Sequence, residues 1–84
     1  MVDPQYKLRL SQALEEIGEE VLRAKTMYPQ HFVNQHEAYA VILEEMDELW
    51  TEIKKNQKNY DLKAQRNEAT QAAAMLARLM VELL

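Results

Sequence analysis

Apolar residues along this chain recur at steps of three and four, the spacing of one face of a helix rather than the alternation of a strand. Leu10, Leu14, Ile17, Val21 and Ala24 make a first stripe. Ala38, Tyr39, Ile42, Leu43, Met46, Leu49, Trp50 and Ile53 make a broad second arc, and Ala64, Ala72, Met75, Leu79 and Leu83 a third stripe. Three helices are predicted. Asp3 caps the first and Pro4 occupies its first position, where the missing N–H costs nothing. That helix ends near Met27 or Tyr28, because Pro29 disfavours helix at the residue before it. Asn34 and Glu37 form a capping box for the second helix, with Val33 and Ala38 spaced for a hydrophobic staple; this helix runs to about Lys55, where Lys54 and Lys55 meet the negative end of its dipole. Residues 56–60 form a linker, and Asp61 caps a third helix that continues to the last residues. Gly18, near the first stripe, and Ala72, Ala73 and Ala74 mark places where helices approach closely.

One Gly and two Pro leave little material for tight β-turns, so the fold class is all-α. The expected architecture is a three-helix protomer of antiparallel helices, and 84 residues fill a single domain, 1–84. A core of that size is marginal and there is no Cys to staple it, so oligomerisation into a helical bundle, as a homodimer or homotetramer, is expected. The net charge of −4 and a pI near 5.1 argue against nucleic acid or an anionic membrane as partner. No apolar run approaches the roughly 18 residues of a membrane span. The start of the sequence lacks the basic and apolar regions of a signal peptide, and the expectation is a cytoplasmic protein.

The acids carry the chemical signal. Glu15, Glu16, Glu19 and Glu20 lie away from the first stripe and read as a solvated face. On the second helix Glu45, Glu48 and Glu52 form a ridge against the apolar arc, with Glu44 just outside it. On the third, Glu68 and Gln71 share the side of Ala64, Ala72, Met75 and Leu79. A carboxylate placed there must be protonated, ion-paired with Arg66, Arg78 or a lysine of another helix, or bound to a metal. Oxygen ligands from two facing helices suit Mg²⁺ or Mn²⁺, which bridge phosphate oxygens and activate water. His31 and His36 lack the spacing of a histidine metal site; His36 serves the helix start or contacts substrate.

The run from His36 to Trp50, HEAYAVILEEMDELW, followed by Glu68-Ala69-Thr70-Gln71-Ala72-Ala73-Ala74-Met75, resembles the MazG-like nucleoside triphosphate pyrophosphohydrolases over roughly residues 34–80. Glu44-Glu45-Met46-Asp47-Glu48 matches the E-E-x-x-E half of the family pattern, and Glu68 to Gln71 matches E-x-x-D except at its last position. The resemblance implies an all-α dimer or dimer of dimers that uses Mg²⁺ to split a nucleoside triphosphate between its α and β phosphates, releasing monophosphate and pyrophosphate. It implies Glu45, Glu48 and Glu68 as metal ligands, with Gln71 at the fourth ligand position. Glu44 corresponds to the outer acid that orients water or a second metal, so Glu44 and Glu45 are the candidate catalytic pair. Lys55, seven residues beyond Glu48 on the same side, is spaced to meet a phosphate. Gln71 removes one negative charge from the family's set, which admits a weaker site or a relative that only binds nucleotide or metal, or only assembles. A purely structural module would instead pair Glu45, Glu48 and Glu68 with basic side chains.

Overall fold

The computed structural model describes residues 1–55 and 61–84; the linker read over residues 56–60 lies outside the described residues. Three helices follow in order, α1 (Pro4–Met27), α2 (Gln35–Ile53) and α3 (Leu62–Leu83), with no strand among the described residues. The caps form where local chemistry places them. Asp3 accepts from the Gln5 N–H at 2.9 Å, Asn34 from the Glu37 N–H at 2.9 Å, and Asp61 from the Lys63 and Ala64 N–H groups at 3.0 and 3.1 Å. Glu37 closes its half of the box on the Val33 N–H at 3.1 Å, one residue earlier than the cap. Val33 itself is exposed, so the expected staple does not form; Phe32 is buried in its place. α2 stops at Ile53, with Lys54 as its C-cap, slightly short of the expected Lys55.

The helices run up, down and up. Glu45 and Glu48 of α2 meet Glu68 of α3, while Phe32, just before α2, is held by Glu82 near the end of α3, so α2 and α3 are antiparallel. Glu16 pairs with Arg66 and Lys25 with Glu82, so α1 and α3 point the same way. α3 packs on both other helices, whereas α1 and α2 pack on α3 and not on each other. This middle position explains the alanines. Ala72 and Ala74 are buried and Ala73 half-buried, and small side chains let two neighbours approach one helix. The core joins Ala24, Phe32, Ala38, Ile42, Ala74 and Met75, with Ile17, Val21, Val41, Leu79 and Leu83 packed against it.

Three expectations are corrected. A Cβ added to Gly18 would meet nothing within 4 Å, so no helix crosses there. Leu10 and Leu14 are exposed as well, because α3 covers only the later part of the α1 stripe. The α2 arc is likewise divided: Ala38 and Ile42 turn inward, but Tyr39, Leu43, Met46, Trp50 and Ile53 are exposed. Those five follow steps of 4, 3, 4 and 3, so they form one continuous exposed apolar strip along α2. The chain exposes 6712 Å², against about 5,200 Å² for a compact monomer of this mass. Its radius of gyration of 14.4 Å exceeds the roughly 12 Å of a globular chain of this length.

The sequence reading passed over a buried ionic clamp that fixes the α1–α2 connection to α3. Glu82 accepts from the Phe32 N–H at 2.8 Å and from Arg78 Nε at 2.8 Å, with Lys25 Nζ at 3.5 Å. Arg78 also donates to the Gln30 carbonyl at 3.3 Å and lies over the Phe32 ring, 4.4 Å from its centre. Burial opposes the charge on Glu82, but the donors from Arg78 and Phe32, with the Arg78 and Lys25 charges, outweigh it and hold the carboxyl at about 2.

Candidate metal centre

One carboxylate oxygen from each of Glu45, Glu48 and Glu68 lies within 4.8 Å of the others. α2 supplies two of the three at i, i+3 spacing, and the antiparallel α3 brings the third from the facing side. Glu48 is exposed, while Glu45 and Glu68 are half-buried, each with its Oε2 shut off from solvent and without a hydrogen-bond partner among the described residues. Burial raises both carboxyls first and the neighbouring acids add to it. Glu45 is pushed up to about 6 by desolvation, then by Glu48, with Glu68 and Glu20 contributing. Glu68 is raised by desolvation, then by Glu48 and Glu52.

The basic side chains go elsewhere. Arg66 pairs with Glu16 at 2.9 Å, Arg78 with Glu82 at 2.8 Å, Lys55 with Glu52 at 2.9 Å and Arg23 with Glu20 at 2.6 Å. Among the described residues none pairs with Glu45, Glu48 or Glu68, so the arrangement expected of a purely structural module is not found there. Three converging carboxylates without a basic partner among the described residues, two of which also carry a buried unpartnered oxygen, form a donor set that a hard dication can use.

The other candidate residues distribute around this cluster. Gln71 is half-buried one turn beyond Glu68 and shares with Glu44 and Glu45 the wall of a cavity of about 350 Å³ between the three helices. Tyr28, Phe32, Met75 and Arg78 also line it. Gln71 also reaches a second cavity of about 410 Å³ between α1 and α3, with Glu16, Glu20, Arg23 and Thr70. Glu44 is exposed at the edge of the first. His36 is exposed near the start of α2, nine residues or about 13 Å of helix from Glu45, and is not part of the cluster. Lys55 is tied to Glu52. Sequence reasoning missed Glu20 and Arg23, whose i, i+3 spacing reads as an ordinary solvated pair.

Fold and site together define a three-helix protein carrying a three-glutamate cluster across two antiparallel helices. Compared with protein-family models, with curated proteins and with solved structures, the chain matches none. Among the described residues no helix is long and apolar enough to cross a membrane.

Proposed function

We propose that this protein is a MazG-like, Mg²⁺- or Mn²⁺-dependent nucleoside triphosphate pyrophosphohydrolase of the cytoplasm, cleaving between the α and β phosphates to release monophosphate and pyrophosphate. The observation that carries the reading is the convergence of Glu45, Glu48 and Glu68 without a basic counter-charge among the described residues. A dication held there supplies phosphoryl polarisation and a more acidic water. Glu45, Glu48 and Glu68 hold it through carboxylate oxygens, and Gln71 offers a neutral amide oxygen one turn further along α3. Glu44, exposed and lining the cavity, would orient the attacking water and take its proton. Burial and the neighbouring acids raise Glu45 and Glu68, and the same electrostatics favour uptake of a cation.

Assembly belongs to the reading. The surface excess and the exposed strip on α2 favour a homodimer or homotetramer with α2 and α3 in the interface. Gln71 favours a second reading, a catalytically weak relative that binds nucleotide or metal. The decisive experiment is a screen of ribo- and deoxyribonucleoside triphosphates for pyrophosphate release with Mg²⁺ or Mn²⁺. Release of pyrophosphate with monophosphate supports the enzyme; metal and nucleotide binding without release supports the second reading; no binding of either removes both.

A further inference from the structure

A polyanionic substrate entering this site faces a charge problem. Three carboxylates against one dication leave the cluster negative, and Glu44 and Glu20 stand close by. Positive side chains beside the cavity must therefore meet part of the phosphate charge. Four candidates lie around the site. Arg78 walls the 350 Å³ cavity, but it is buried and committed to Glu82, the Gln30 carbonyl and the Phe32 ring. Lys55 is bound to Glu52 and is not among the walls of that cavity. Arg66 is bound to Glu16 and opens on the α1–α3 groove, away from Glu44 and Glu45.

Arg23 differs from all three. It walls the cavity that contains Glu44, Glu45 and Gln71, and also the adjoining 410 Å³ cavity. Its side chain is 58% exposed, while the Glu20 carboxylate that anchors it is only 12% exposed. Nε and Nη2 bond Glu20 at 2.6 to 3.0 Å, and Nη1 leans on the Met27 sulfur at 2.9 Å. A guanidinium has five N–H groups, so one on each terminal nitrogen is left free. The result is an oriented, largely exposed cation with spare donors on the wall of the cavity.

We infer that Arg23, held by Glu20, is the side chain of this chain that binds the phosphate groups of the substrate in the cavity it shares with Glu44, Glu45 and Gln71. The inference rests on the metal-dependent reading above and names a binding residue that the sequence reading did not. Glu20 acts as a positioning residue, fixing the guanidinium so that fewer rotamers are lost when phosphate arrives.

The test uses the full chain as wild type, Arg23→Gln, Arg23→Lys and Arg9→Gln, the last being an α1 arginine on a different cavity. Mg²⁺ alone is read by thermal shift, and inorganic triphosphate with saturating Mg²⁺ by calorimetric titration. The expected result is an unchanged Mg²⁺ shift in every variant, with triphosphate affinity about tenfold weaker in Arg23→Gln. Partial recovery in Arg23→Lys and none of the loss in Arg9→Gln complete the pattern. Wild-type affinity in Arg23→Gln, or an equal loss in Arg9→Gln, overturns the inference and leaves the metal reading standing. Absence of a Mg²⁺ shift in the wild type overturns the metal reading and the inference with it.

Discussion

Replacing Glu45 by Gln is expected to stabilise the metal-free protein and to cost it the response to metal, an inversion that ordinary damage to a fold does not produce. Glu45 stands at about 6 against an ordinary 4.5, because burial and then Glu48 disfavour its charge. A raised carboxyl contributes stability that is fully present below about pH 4.5 and lost as the pH rises through 6. Ionising it costs the fold about 2 kcal/mol at face value, or about 1 kcal/mol once solvent screening of this half-exposed cluster is allowed for. At pH 7.5 and without metal, Glu45→Gln should therefore melt roughly 4 to 8 °C above the wild type. With Mg²⁺ at ten times its dissociation constant the wild type gains about 1.4 kcal/mol, and the variant, lacking one carboxylate ligand, gains far less. The assay is thermal denaturation at fixed protomer concentration, at pH 5 and pH 7.5, with chelator and with Mg²⁺. A variant that melts below the wild type in chelator at pH 7.5, or that gains the same Mg²⁺ shift, refutes the reasoning.

Breaking the clamp has the opposite sign. Glu82→Gln leaves Arg78 buried without its counter-charge and should cost about 3 kcal/mol or more in urea denaturation. Glu82 is held near 2, so its contribution is present above about pH 4.5 and disappears as the pH falls through 2, which an acid unfolding curve of wild type against variant reads directly. Gln71→Asp should tighten Mg²⁺ binding in calorimetry and raise pyrophosphate release, since a carboxylate there adds attraction for a hard dication; equal affinity would put residue 71 outside the metal's ligand set. Trp50→Glu, in the exposed α2 strip, should lower the mass seen by light scattering at micromolar protomer from a dimer or tetramer toward the protomer.

What could be read from the chain is what depends on neighbours in sequence. Asp3, Asn34 and Asp61 cap their helices because a short polar side chain reaches N–H groups two or three residues ahead. Glu45, Glu48 and Glu68 were legible because helical geometry put carboxylates beside apolar positions, where they are costly. What escaped depends on distant contacts. Arg78 and Glu82 look like a solvated i, i+4 pair until residues 30–32 fold over them. Leu10 and Leu14 have the periodicity of buried residues, but periodicity does not say whether the cover comes from the same chain. Gly18 likewise carries no signal separating a crossing point from open surface.

The middle position of α3 governs the order in which this protein can become a protein. During synthesis α1 and α2 leave the ribosome first, and neither packs on the other. Both wait as amphipathic segments until α3 emerges and collects them, so the packing among the three helices is deferred until the last of them is made. In that interval the same exposed apolar faces are free to meet chaperones, or a sibling chain on the same message, before they meet α3.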